Sequence, residues 1–206
     1  MSLSILTLIL LSTVIISING FNNRGLLERW MYIPFEVKHY NSFDRIFKHL
    51  FVHADVMHLS FNMLSLYFLG EFLEYQLVDS YGLGRGELHF LTLYFGGGLF
   101  ATLFPYIRNQ NNPSYRSLGA SGAVSSVIFA TILWNPTMPL AIMFIPIAIP
   151  AYIFGPLYLA FEFWADRRGG TGIAHDAHIG GALFGIIYTL IINPDTGRFF
   201  LSLIFG

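Results

Sequence analysis

Six stretches of the chain are almost continuously apolar: residues 3–18, 57–77, 88–107, 118–134, 149–164 and 173–192. A helix that crosses the hydrocarbon core of a bilayer needs about 20 such residues, so each stretch predicts a membrane helix. The first lacks a basic leader and a small-residue cleavage site, so it is expected to stay as a helix rather than be removed as a signal peptide. The segments between them are unequal. Residues 21–55 mix Trp30, Tyr32, Phe35 and Tyr40 with Arg24, Arg29, Lys38, Arg45 and Lys48, a blend that suits the headgroup region and predicts an ordered interfacial loop. Residues 109–117 are wholly polar. Residues 138–150 are apolar but carry Pro139, Pro146 and Pro150, which excludes one continuous helix. The tail from residue 198 onward is too short to span and is expected at the interface.

Composition narrows the class. Of 206 residues, 54% are hydrophobic and only 11% charged, and mean hydropathy is +0.59. A soluble domain carries about a quarter charged residues, so the chain lacks the surface of a water-soluble globule. A formal net charge of -1 argues against nucleic acid as a partner. The absence of cysteine excludes disulfides, thiolate metal sites and cysteine nucleophiles. The expectation is a single all-α integral membrane domain over residues 1–206, with six transmembrane helices and a long interfacial first loop.

Polar groups inside such helices are costly and point to function. Gly119-Ala120-Ser121-Gly122 opens the fourth span, and only 14 residues separate Ser121 from the stop at Asn135-Pro136, counting both Ser121 and Trp134. At about 1.5 Å per residue this covers roughly 20 Å of a core about 30 Å thick. Ser121 is therefore expected below the near surface, at a helix N-terminus lining a wet cavity. Small residues here also serve plain helix packing. His178 precedes Gly181 and Gly185 at spacings of three and four on one face. Those glycines would press the imidazole against a partner helix, and if that partner is the fourth span, His178 can take the Ser121 proton. His58 and Asn62 stand at i and i+4 on the second span, two donors aimed at one point, as an oxyanion requires. They would equally serve to bond nearby backbone carbonyls. His49 and His53 share the same spacing, but no H-E-x-x-H and no carboxylate completes a site, so no metal is assigned.

In this order and on these spans, H-x-x-x-N, G-x-S-G and A-H-x-x-G-x-x-x-G resemble the motifs of the rhomboid intramembrane serine proteases. The resemblance implies a six-helix bundle and a Ser121–His178 dyad without an acidic third member, metal or other cofactor. It implies an oxyanion hole from His58, Asn62 and the Ser121 N–H. Motif or structural roles fall to Gly119, Gly122, Gly181, Gly185, Arg45, Glu74 and His53. The fifth helix and the proline-rich segment before it would gate entry of a substrate's transmembrane helix from lipid, for cleavage in or near that helix. Two positions depart from the pattern: Asp44 stands where a tryptophan is common, and Ser125 where an aromatic ring commonly stacks on the histidine. His178 must then be oriented by other neighbours. Asp176, two residues away, belongs to another face.

Nine of the eleven basic residues lie in or beside the odd loops, leaving only Arg85 and Arg198 on the other side. Counted literally, the positive-inside rule puts those loops in the cytoplasm. The resemblance instead implies a multi-pass protein of the cell membrane with both termini inside and the active site toward the extracytoplasmic side. The reading follows the resemblance, because the charge rule weakens for structured loops rich in balancing contacts. Two alternatives remain on the sequence alone. One is a non-catalytic rhomboid-like protein that binds client helices, although such relatives commonly lose the serine or histidine. The other is a small transporter with a histidine proton relay, for which no inverted repeat is seen.

Overall fold

The computed structural model describes residues 4–141, 148–170 and 172–206. The chain is a helical membrane bundle. Helix α1 (Ile5–Asn22) starts where the Ser4 hydroxyl accepts the Thr7 N–H at 3.2 Å. Ser4 thereby satisfies one donor that the first turn leaves open. Helix α5 (Val56–Tyr81) is capped in the same way by Asp55, which accepts the His58 N–H at 2.8 Å, and it ends at Gly82 with φ +79°. The third span is the bent run Leu83–Asn109. It comprises α6 (Leu83–Leu91), a π-helical turn (Thr92–Gly96), α7 (Gly97–Ala101) and α8 (Leu103–Asn109). The Leu93 carbonyl in the π-helical turn accepts the Ser126 hydroxyl at 2.8 Å.

Helix α9 (Ser121–Trp134) is short and central, and eleven of its 14 residues are buried. Around it stand α5, the bent span, α10 (Ala151–Arg168) and α11 (His175–Ile192). The outward faces carry Leu8, Leu11, Ile15, Phe68, Phe161 and Ile191, all exposed. Exposed apolar faces on a bundle whose interior is already packed are the surface that lipid covers. Helix α12 (Pro194–Phe205) begins at the proline that stops α11. The tail expected at the interface falls, as far as Phe205, within this helix of 12 residues.

Two connections carry structure that the sequence did not specify. The first loop contains α2 (Arg24–Trp30), α3 (Pro34–Tyr40), α4 (Arg45–Lys48) and a 3-10 turn (His49–Phe51). The proline-rich segment supplies β1 (Pro139–Ala141) and β2 (Ala148–Pro150), paired antiparallel with Leu140 opposite Ile149. Prolines at the outer ends of this pair suit a two-stranded ribbon, where the missing N–H costs least. Pro146, and the first residue of the span expected from residue 3, lie outside the described residues.

Candidate active site

The loop that delivers Ser121 to α9 is built from backbone and histidine contacts. Tyr32 and Ser117 pair through both backbone bonds, at 2.8 and 3.0 Å, so the first loop holds the polar segment that leads to the serine. The Gly119 N–H donates to the His49 carbonyl at 3.0 Å, and the Ala120 N–H donates to His53 Nε2 at 3.2 Å. Accepting there leaves Nδ1 of His53 as the protonated nitrogen. It donates to Ser17 Oγ at 2.9 Å, and that hydroxyl donates onward to the Phe51 carbonyl at 2.9 Å. Burial pushes the His53 imidazole down to about 3, so it remains neutral and keeps this tautomer. His49 donates Nδ1–H to the Arg45 carbonyl at 3.1 Å, and burial pushes it down to about 4. These two histidines are thus occupied as struts of the serine loop, each with partners of its own.

Gly119 has φ +115°, and a Cβ there would fall 2.6 Å from Cε1 of His58. The position therefore needs glycine for backbone and for space, and it puts the His58 ring over the turn that presents Ser121. The ring also stands edge-on to His53, with centroids 5.0 Å apart. Asn62 is buried one turn further on, and its Nδ2 donates to the His58 carbonyl at 2.9 Å. One Asn62 donor is thus engaged with backbone and a second N–H remains in its inventory. The N–H groups of Ser121 and Gly122 open the first turn of α9, where a helix supplies no internal acceptor. A recess beside Ser121 is lined by Tyr32, His49, Thr102, Ser117 and Gly119.

The partner helix is α11. A Cβ on Gly181 would collide with the Gly122 backbone, and one on Gly185 with the Ser126 carbonyl. The two glycines thus let α11 lie directly on α9, while a Cβ on Gly122 would meet Ala101 and the Ala177 carbonyl. This seam sets the turn holding Ser121 and Gly122 against the turn holding Ala177 and His178. Ser121 and His178 share no direct hydrogen bond among the described residues, a looseness common in sites without substrate.

His178 instead bonds through Nδ1 to Oε1 of Glu162 on α10, at 3.1 Å. The other carboxylate oxygen is 2.6 Å from Nδ1 of His175. The Glu162 side chain is 4% exposed. His178 thus has an acidic neighbour that the sequence reading did not expect. Asp176 faces elsewhere: its carboxylate meets Arg108 at 3.4 Å, and Arg108 also holds Asp166 at 2.8 Å. Glu162, His175 and His178 are also the group among the described residues whose geometry could hold a metal ion. His49 and His53, with the metal-like spacing, do not belong to it. The signal for Glu162 was present in the sequence as a carboxylate within the apolar run Leu159-Ala160-Phe161-Glu162-Phe163.

Arg45 and Glu74 serve the scaffold. Arg45 donates to the carbonyls of Glu28 and Met31, both at 2.8 Å, and pairs with Glu36 at 2.7 Å, fixing the first loop. Asp44 does not pack as an aromatic anchor would; it pairs with Lys48 at 2.7 Å, which holds its carboxyl below the usual range. Glu74 on α5 accepts the Leu6 N–H at 3.1 Å and so ties α5 to the open first turn of α1.

A membrane bundle with this serine turn, glycine seam and histidine cluster has a counterpart among known families: residues 40–194 match the model of the Rhomboid domain. The chain belongs to the rhomboid family. It is 29% identical over 164 residues to the mitochondrial RHOMBOID-like protein 12 of Arabidopsis thaliana, covering 72% of this chain and 46% of that protein. It is 32% identical over 140 residues to the mitochondrial presenilin-associated rhomboid-like protein A of Danio rerio, covering 67% and 34%. RHOMBOID-like protein 1 of Arabidopsis thaliana is 31% identical over 172 residues, covering 79% and 38%. The chain thus spans between about a third and a half of the length of these relatives.

Proposed function

We propose that the protein is an intramembrane serine endopeptidase, with Ser121 as nucleophile and His178 as general base. The observation that carries this reading is the glycine seam, which sets the Ser121 turn of α9 against the His178 turn of α11. In the acylation step Ser121 Oγ attacks the scissile carbonyl and its proton passes to Nε2 of His178. The tetrahedral oxyanion is stabilised by the N–H at the opening of α9, with His58 and Asn62 as side-chain donors. His178 then protonates the leaving amine, and water hydrolyses the acyl-enzyme by the reverse proton path. No metal or other cofactor takes part in these steps.

The substrate in this reading is a transmembrane helix of another membrane protein, cut in or near the bilayer. It would enter from lipid past α10 and the β1–β2 ribbon. The presenilin-associated relatives carry an association with another protein in their names, which supports a protein partner here. We place the Ser121 end toward the extracytoplasmic side of a cell membrane. Single cysteines at Asn23 and Gly206 test this, because reaction at position 206 alone from outside intact cells would reverse the orientation.

Reaction of the purified protein in detergent with a fluorophosphonate tests the nucleophile. A covalent adduct mapped to Ser121 by peptide mass, absent from His178→Ala, is expected. Protein that stays unmodified at Ser121 would favour the non-catalytic, client-binding reading.

A further inference from the structure

Glu162 is a costly residue to bury in an apolar stretch of helix without a reason. It lies about two thirds of the way along α10 between Phe161 and Phe163, its side chain 4% exposed, and a carboxylate away from water is expensive unless it is bonded. Both of its oxygens are bonded, and both partners are imidazole Nδ1 atoms from the same turn of α11. His175 and His178 are three residues apart, on one face. The Tyr158 hydroxyl, one turn before Glu162 on α10, completes its surroundings and also approaches Ser125.

This arrangement assigns protons. An ionised carboxylate only accepts, so each Nδ1 that faces it carries a hydrogen. With its proton on Nδ1, a neutral His178 has Nε2 as a bare lone pair, the form that a base for the Ser121 hydroxyl requires. When that hydroxyl proton moves to Nε2, the ring becomes an imidazolium, and the fixed negative charge already lies 3.1 Å away in a site with little water. His175 holds the second oxygen at 2.6 Å, so the carboxylate cannot rotate away. The same contacts explain how the site manages with Ser125 where an aromatic ring would otherwise restrain the histidine.

We propose that Glu162 is the positioning residue of His178, clamped by His175: the Ser121 proton passes to His178 and no further, and Glu162 orients the ring and stabilises its imidazolium. Glu162 stays ionised throughout and takes no proton. The proposal rests on the protease reading given above, but its structural half does not need turnover.

Two variants and two readouts test it. Glu162→Gln keeps the shape and removes the charge; Glu162→Met replaces both oxygens with a weakly accepting thioether at similar length. Thermal unfolding of each, in the detergent used for assay, identifies a variant that has lost its fold. In cleavage of a transmembrane-helix reporter, kcat is expected to fall about 100-fold or more in Glu162→Met. KM should change by less than about threefold, since the carboxylate does not touch substrate. In protein labelled with 15N-histidine, with His178 identified by its loss in His178→Gln, the resting ring should carry its proton on Nδ1. In Glu162→Met the hydrogen-bonded Nδ1–H signal should disappear. Wild-type kcat in both folded variants would overturn the proposal, as would a His178 ring protonated on Nε2 in the wild type. A wild type with no Ser121-dependent cleavage would remove the protease reading alone, and the ring tautomer would still decide whether Glu162 positions His178.

Discussion

Gly181 on α11 lies against the backbone of Gly122 on α9 so closely that no methyl group fits between them. Ser121 stands one residue and His178 three residues from that contact, so in the proposed mechanism the distance between two helices becomes the distance between two reacting groups. Gly181→Ala must push α11 outward, and overpacking of this kind costs about 1–3 kcal/mol. The expected result is a lower unfolding temperature together with loss of reporter cleavage. Gly25→Ala, on the exposed side of α2, should leave both near the wild-type values.

The oxyanion donors should be separable from the scaffold. His58 covers the serine turn and Asn62 bonds the His58 carbonyl; if the two act as the proposed oxyanion donors, His58→Ala and Asn62→Ala each lower kcat by about 100- to 1000-fold. Loss of that bond in Asn62→Ala should add a small stability loss of about 1 kcal/mol. Steady-state kinetics beside thermal melts check this. A fall in stability without a fall in kcat for either variant would assign that residue to packing.

Acid should loosen the serine loop through His53 and His49. Burial holds the first at about 3 and the second at about 4 in the folded protein, against an ordinary 6.5 when unfolded. Between those values the unfolded chain binds protons that the native state refuses, so stability rises with pH across the window and falls as pH drops below about 6.5. Each histidine contributes a loss of about 2 kcal/mol between pH 7 and pH 5. Unfolding midpoints at the two pH values check the sum. In His53→Gln, whose carbonyl can still accept the Ala120 N–H, the pH-dependent loss should shrink by about half.

Arg45 should govern the first loop alone. Its guanidinium spans the Glu28 and Met31 carbonyls and the Glu36 carboxylate, a set of directions that a lysine ammonium cannot match. Hydrogen bonds to a charged group contribute about 1.5–3 kcal/mol. Arg45→Lys should therefore speed amide exchange in residues 24–40 by at least about 10-fold, with α9 and α11 protected as before. Equal acceleration across the bundle would show that the loop is part of the cooperative core.

What the sequence disclosed follows from which interactions are local. Four of the expected spans read out of hydropathy because each must cover itself with apolar surface, and the short α9 was visible because Asn135-Pro136 stops it. Ser121, His178 and the glycines were legible as motifs, since small residues at helical spacing demand a close partner. The role of His53 as an acceptor for Ala120 was not legible, because the two are 67 positions apart and nothing local requires them to meet. Glu162 escaped for a related reason. Its partners lie 13 and 16 residues away, on the next helix, and nothing in its own apolar run requires it to meet them. The proline-rich segment forbade a helix but did not announce a ribbon, because pairing of β1 with β2 depends on where the two ends meet.

Cleavage of a transmembrane-helix reporter in proteoliposomes, by wild type, Ser121→Ala and His178→Ala side by side, tests the central claim most directly. Wild type should yield a product cut in or near the reporter's membrane segment, and neither variant should yield any above background. Equal cleavage by Ser121→Ala, or none by the wild type across several reporters, would contradict it.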